Sequence, residues 1–225
     1  MKMMRCILVL SSLLVCALEL PAQNQPGAEK KLVSFEEAAR TNPIPDGGSL
    51  FIGSSTIEIW GKRFAPKGAE PIIFRGVGGT TYEFLLRNAD RLLSFCKPKR
   101  IIIYSGDNDI GEGAGGEKSG ETVASRAREL VAKIETQHPD AKIYILAVKP
   151  SIKRAAAETA QACANAGIKK ISEEKPSKVF FVDTRPILLG DDGKPNPLYF
   201  APDGLHLNEQ GYARWNELIA PILAD

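Results

Sequence analysis

The chain has 225 residues, of which 44% are hydrophobic and 25% are charged, and its formal net charge is +2. This length allows one sizeable domain or at most two small ones, and the composition is ordinary for a soluble globular protein. A net charge so close to zero, without a polybasic run, argues against nucleic acid as a partner.

The first 22 residues differ in composition from the rest of the chain. Lys2 and Arg5 precede an apolar run over residues 6–18, and Pro21-Ala22-Gln23 resembles a small-residue cleavage site. This layout predicts a secretory signal peptide over residues 1–22, and therefore a secreted or periplasmic protein. An uncleaved membrane anchor is the alternative, but the apolar run is short for a transmembrane helix. We expect no stable membrane association after cleavage.

Short apolar runs alternate with longer amphipathic segments along the remaining chain. The candidate strands are Ser49–Ile52, Pro71–Phe74, Arg100–Tyr104, Lys142–Val148 and Lys178–Val182. The candidate helices are Thr56–Trp60, Tyr82–Phe95, Thr122–Thr136, Ala155–Glu174 and Glu209–Leu223. This alternation predicts an α/β fold, a three-layer α/β/α sandwich with a flavodoxin-like, doubly wound parallel sheet of five strands. We expect one domain over residues 32–225, after a flexible lead-in over residues 23–31.

Gly53-Ser54-Ser55 follows the first candidate strand and begins a candidate helix. Open parallel sheets bind ligands at the carboxyl ends of their strands, so this position favours a functional role. A serine at a helix N-terminus has an unpaired backbone N–H and faces the positive end of the helix dipole. Its hydroxyl can attack a carbonyl while the N–H stabilises the oxyanion. Either serine can instead be a simple N-cap.

Two further polar segments follow the second and third candidate strands. Residues 75–81, Arg-Gly-Val-Gly-Gly-Thr-Thr, contain glycines that allow a tight turn with uncovered N–H groups. A dinucleotide phosphate loop is one interpretation, but Gly-x-Gly-x-x-Gly is incomplete because position 81 is Thr. Residues 105–109, Ser-Gly-Asp-Asn-Asp, include Asn108, whose amide can serve as an oxyanion donor. The same composition is also typical of an ordinary turn.

Asp203 and His206 lie three residues apart just before the last candidate helix. At this spacing the carboxylate can hold one imidazole nitrogen and leave the other free as a base. The chain has two histidines, and His138 precedes the fourth strand, at the wrong end of the sheet for catalysis. A helix cap with a surface histidine is the alternative interpretation of this pair.

Taken together and in this order, the four segments resemble the SGNH or GDSL hydrolases, from about Gly48 to Gly211. The resemblance implies that Ser55 is the nucleophile and that Asp203 and His206 complete a Ser-His-Asp triad. Ser54 stands where the family usually has aspartate; because this position is not the nucleophile, the resemblance still implies activity but does not specify the substrate.

The resemblance also implies an oxyanion hole formed by the N–H groups of Ser55 and Gly79 and the amide of Asn108. The implied activity is serine ester hydrolysis, with short acyl or acetyl esters as substrates, including esters on carbohydrate. The alternatives are a non-catalytic carbohydrate-binding relative, or a thioesterase, lipase or peptidase that uses the same residues. Neither a cofactor nor a metal is implied, and the partner is a small-molecule or glycan ester.

Two other features of the sequence carry further predictions. Cys96 and Cys163 remain after signal cleavage, and their apolar, helical surroundings favour two buried free thiols over a disulfide or a metal site. The segment Gly111–Gly120 contains five glycines and directly follows the Asn108 segment. It is either a mobile rim of the active site or a featureless flexible loop.

Overall fold

A computed structural model describes residues 26–68, 70–111, 113 and 115–224 of the protein. The predicted signal peptide, residues 1–22, lies outside the described residues. Within the described ranges, no helix is long and apolar enough to cross a membrane.

Five short strands form one sheet in which every neighbouring pair is parallel. They are β1 Ser49–Gly53, β2 Ile72–Gly76, β3 Arg100–Tyr104, β4 Lys142–Leu146 and β5 Val179–Val182. Their spatial order is β2-β1-β3-β4-β5, the flavodoxin-like order of a doubly wound sheet. The predicted fold class is therefore confirmed, and each strand lies within two residues of its predicted start.

Alternate residues of each strand supply the two cores of the sandwich. Ile101 and Ile103 of β3 face one helical layer, whereas Ile102 and Tyr104 face the other. Side chains alternate in this way because successive residues of a strand point to opposite faces. Since both faces are covered, the strands carry almost continuous apolar sequences.

Helices cover both faces of the sheet. They are α1 Pro26–Thr41, α2 Ser55–Ile59, α3 Tyr82–Arg87, α4 Ala89–Leu93, α5 Asp107–Ile110, α6 Gly116–Gln137, α7 Glu158–Glu174 and α8 Glu209–Ala224. A π-helical turn, Trp60–Phe64, extends α2. One core contains buried residues of α1, α3, α4, α6 and α7, and the other contains those of α2, the π-helical turn and α8.

The helix predicted over residues 82–95 is divided into α3 and α4 at Asn88. The Asn88 side chain donates a hydrogen bond of 2.9 Å to the carbonyl of Phe84, and its backbone has φ −111°. An asparagine side chain that competes for a backbone acceptor disfavours regular helix, so the helix is interrupted at this residue.

The flexible lead-in predicted over residues 23–31 is wrong for residues 26–31, which form the first part of α1. Ala28, Leu32 and Ala39 recur at helical spacing, and all three are buried. The charged residues between them dominate the local composition, so the apolar stripe is narrow. Tertiary packing of that stripe stabilises the helix.

The glycine-rich segment Gly111–Gly120 is not one loop, because α6 begins at Gly116. A Cβ on Gly113 would lie 2.6 Å from the Cα of Ala157, closer than real Cβ contacts occur. This glycine therefore permits close packing of the chain against the start of α7. Cys96 and Cys163 are free thiols, but both are half-buried and not fully buried as predicted.

Candidate active site

The polar segments of the sequence meet at the carboxyl ends of β1, β2 and β3. In the order β2-β1-β3, β1 lies between the other two strands. The chain leaves β1 for β2 on one side and later reaches β3 on the other side. A crevice opens where the connections diverge in this way, and open α/β sheets bind their ligands there.

Ser55 is the first residue of α2 and directly follows the end of β1. Gly53 is required at the strand end, because a Cβ there would lie 2.0 Å from the carbonyl oxygen of Tyr104. Ser54 occupies the N-cap position of α2, but its side chain is buried and makes no capping hydrogen bond. The two serines therefore differ in environment, and Ser55 is the half-buried one at the crevice.

A chain of hydrogen bonds joins Ser55, His206 and Asp203. The Ser55 Oγ is 2.8 Å from His206 Nε2, and His206 Nδ1 is 2.6 Å from Asp203 Oδ2. A carboxylate only accepts hydrogen bonds, so Nδ1 carries the proton and Nε2 presents its lone pair to the serine hydroxyl. Residues separated by 151 positions in the sequence are thus joined in one chain of hydrogen bonds.

The loop that carries Asp203 and His206 is held by its own hydrogen bonds. Asp203 Oδ1 accepts bonds of 2.9 Å from the N–H groups of Leu205 and His206. Burial acts to raise the pKa of the Asp203 carboxyl, but the hydrogen bonds from His206 and Leu205 outweigh it and lower that pKa to about 2. Asp203 is therefore ionised at neutral pH and fixes the imidazole ring.

The glycine-rich segment after β2 lies beside Ser55. A Cβ on Gly78 would be 3.9 Å from the Cβ of Ser55, and Gly79, the next residue, is exposed with φ +73°. The N–H of Gly78 donates a hydrogen bond of 2.8 Å to Glu58, which lies on α2. The helix that begins at Ser55 therefore also holds the turn that presents Gly79.

Asn108 lies on the short helix α5, directly after β3. Its side-chain Nδ2 donates a hydrogen bond of 2.9 Å to the carbonyl of Thr80, the residue after Gly79. This bond joins the Asn108 segment to the glycine-rich segment. The five residues singled out in the sequence thus come together at one end of the sheet.

Several charged residues near α5 were not singled out from the sequence. Lys149 is completely buried and donates a hydrogen bond of 3.0 Å to Asp107, and Tyr104 donates a further one to the same oxygen. Arg154 is 9% exposed and contacts both Asp107 and Asn108. The only local signal is Lys149, a charge that ends the apolar run of β4. Arg154 lies in the loop after β4, where no periodic pattern of residues marks it in the sequence.

A cleft with a volume of about 790 Å³ opens beside Asp203 and His206. Asp203 and His206 form part of its wall, and the apolar residues Ile59, Phe64, Ile152 and Phe200 line it further. Its size is that of a small-molecule site.

His138 lies at the opposite end of the sheet, as predicted. It ends α6 before β4, and its Nε2 is 3.0 Å from the carbonyl of Leu93. Among the described residues, no group of three or more His, Cys, Asp or Glu side chains could hold a metal ion.

Known proteins resemble this chain in sequence over most of its length. Residues 47–214 match the sequence profile of the GDSL-like Lipase/Acylhydrolase family. Platelet-activating factor acetylhydrolase IB subunit alpha2 from Homo sapiens is 30% identical over 187 residues, which cover 78% of this chain and 77% of the relative.

Solved structures of low sequence identity share the fold. A GDSL-like lipase from Bacteroides thetaiotaomicron superposes with a TM-score of 0.64 at 21% identity, covering 87% of this chain and 97% of that one. A family 3 carbohydrate esterase from Clostridium thermocellum superposes with a TM-score of 0.56 at 17% identity, covering 79% and 97%.

Proposed function

Because the chain belongs to the GDSL-like lipase/acylhydrolase family and is an ester-hydrolysing enzyme, we propose that it acts as a serine esterase through Ser55, His206 and Asp203. The observation that carries this proposal is the unbroken hydrogen-bond chain from the Ser55 hydroxyl through His206 to the Asp203 carboxylate. A non-catalytic binding module does not need this arrangement.

In the first step, His206 Nε2 removes the Ser55 proton while the serine oxygen attacks the ester carbonyl. Asp203 holds the ring in the correct tautomer and stabilises the imidazolium that forms. His206 then gives its proton to the departing alcohol, which leaves an acyl-enzyme. A water molecule, activated by His206 in the same way, releases the acid and restores Ser55.

The negative charge of the tetrahedral intermediate requires hydrogen-bond donors beside Ser55. The N–H of Ser55 lies in the first turn of α2, where backbone N–H groups have no partner within the helix. The N–H of Gly79 and the Nδ2 of Asn108 are the further donors that we assign. The hydrogen bonds from Gly78 to Glu58 and from Asn108 to Thr80 support this assignment, because they hold both groups beside the serine.

We assign short acyl esters, acetyl esters above all, as substrates. The support is the relative whose name describes an acetylhydrolase. The leaving alcohol must lie on the His206 side, because His206 protonates it. The cleft walled by His206, Ile59, Phe64 and Phe200 lies on that side, so it suits an alcohol part with an apolar surface.

The first experiment measures hydrolysis of p-nitrophenyl acetate, butyrate and octanoate by the mature protein and by Ser55→Ala and Ser54→Ala. Loss of the nucleophile lowers kcat by about 10³-fold or more, so we expect Ser55→Ala to be inactive. Ser54→Ala removes a neighbouring hydroxyl of the same kind, and we expect it to keep most of the turnover. Acetate should be the best of the three esters.

Two results would contradict this proposal. Equal activity in Ser55→Ala and the wild type would remove the serine mechanism, and a preference for octanoate would replace the short-acyl assignment by a lipase. A thioester series under the same conditions separates an esterase from a thioesterase.

A further inference from the structure

The side-chain amide of Asn108 is bound at both ends by groups of opposite hydrogen-bonding character. Its Oδ1 accepts a hydrogen bond of 3.2 Å from Arg154 Nη2, and its Nδ2 donates one of 2.9 Å to the carbonyl of Thr80. A guanidinium has only donors and a carbonyl only accepts. A flipped amide would place donor against donor and acceptor against acceptor, so a single orientation is allowed.

This orientation leaves one donor of Asn108 available. The amide nitrogen carries two N–H groups, and Thr80 takes one of them. The second can serve the oxyanion. A cation bonded to the amide oxygen also polarises the amide group, which strengthens its N–H groups as donors.

Arg154 is itself held by a buried scaffold. Its Nη1 donates a hydrogen bond to the main-chain carbonyl of Asp107 and lies 3.8 Å from the Asp107 carboxylate. That carboxylate is bonded in turn by Lys149, which is completely buried, and by Tyr104. One guanidinium thus bonds two consecutive residues of α5, and the buried charges leave it little freedom to move.

We propose that Arg154 is the positioning residue of the oxyanion hole and that it acts on the reaction only by orienting and polarising the Asn108 amide. This inference rests on the proposed function. Arg154 lies outside the four sequence segments that carry the family resemblance. Because the oxyanion exists only after attack on the carbonyl, Arg154 contributes to kcat and not to ground-state binding.

The test is a double-mutant cycle that combines Arg154→Met with Asn108→Ala, measured as kcat and KM for p-nitrophenyl acetate. Loss of the Asn108 donor is expected to lower kcat by about 10²–10³-fold. Arg154→Met leaves the donor present but misplaced, so we expect a smaller loss, on the order of 10-fold to 10²-fold in kcat, with KM unchanged. In the Asn108→Ala background, Arg154→Met should cause no further loss.

A kcat for Arg154→Met equal to that of the wild type would overturn the proposal. So would an equal loss in both backgrounds, because Arg154 would then act through general stability and not through Asn108. The proposed function fails in a different way, through a Ser55→Ala variant that remains active.

Arg154→Lys keeps the test decisive if Arg154→Met does not fold. Lysine retains the buried positive charge, but it has no planar fork that can bond Asp107 and Asn108 together. We expect an unfolding temperature close to that of the wild type and a reduced kcat. In the Asn108→Ala background, Arg154→Lys should cause no further loss of kcat. Unchanged kcat, or a loss that persists without Asn108, would overturn the proposal.

Discussion

At the scale of single residues, Asp203 combines its proposed role in catalysis with an effect on stability. Its carboxylate accepts hydrogen bonds from His206 Nδ1 and from two backbone N–H groups, and its pKa is lowered to about 2. A carboxyl whose folded pKa lies below its unfolded value stabilises the protein above the unfolded pKa. This contribution is lost as the pH falls through the folded pKa.

We therefore predict that Asp203→Asn makes the free energy of unfolding less dependent on pH under acid conditions. The free energy of unfolding of the wild type should fall between about pH 4 and pH 2 by more than that of the variant. Urea denaturation across this range measures the difference. Asp192→Asn is a suitable control, because Asp192 lies on the surface, where it accepts one backbone hydrogen bond from Lys194. An equal fall in the free energy of unfolding for the wild type and Asp203→Asn would contradict the prediction.

At the scale of elements, the contact between α6 and α7 depends on small residues. A Cβ on Gly120 of α6 would lie 2.4 Å from the carbonyl oxygen of Ala160 and 2.7 Å from the Cβ of Cys163. Real Cβ atoms do not approach backbone so closely, so the two helices can meet at this distance only with glycine there.

Gly120→Ala should consequently destabilise the protein, by about 1–3 kcal/mol, because overpacking forces the helices apart. Gly27→Ala is the matched control, since Gly27 also lies in a helix but has no atom within 4 Å of an added Cβ. Its stability should be unchanged or higher by up to about 1 kcal/mol. The urea midpoints of the two variants measure the difference in stability. Equal midpoints would show that α6 and α7 can move apart without a loss of stability.

At the scale of the whole molecule, α1 is attached to the sandwich both by apolar burial and by ion pairs. Leu32 is 2% exposed within the core, whereas Arg91 pairs with Glu29 at 2.9 Å on the surface. The Glu29 side chain is 63% exposed, and pairs of this kind contribute at most about 1 kcal/mol. Removal of a buried leucine side chain costs about 2–5 kcal/mol. Burial of Leu32 should therefore be a stronger attachment than the pair between Arg91 and Glu29.

We predict that Leu32→Ala lowers the free energy of unfolding by about 2–5 kcal/mol, and that Glu29→Gln changes it by less than about 1 kcal/mol. Denaturation in low and high salt separates the two terms, because only the ion pair is screened. A larger effect for Glu29→Gln would mean that charge, and not the apolar stripe, holds the helix.

Much of this protein is determined by local sequence. Continuous apolar runs located the strands to within two residues at their starts, and the alternation with helices established the layered fold. The segments that contain Ser55, Asn108 and His206 could be singled out because each follows or precedes an element in a fixed relation to the sheet, and the resemblance to the SGNH hydrolases then selected Ser55 over Ser54. These features depend on the chemistry of a few neighbouring residues, so they can be read without the fold.

Only the tertiary structure decided the rest. The narrow apolar stripe of α1 becomes helical because Leu32 is buried against distant elements. Glu58 holds Gly78, and Arg154 holds Asn108, across 20 and 46 positions of the chain. No periodicity marks such residues, because a hydrogen bond between distant segments depends on where the sheet order brings them and not on their neighbours in sequence.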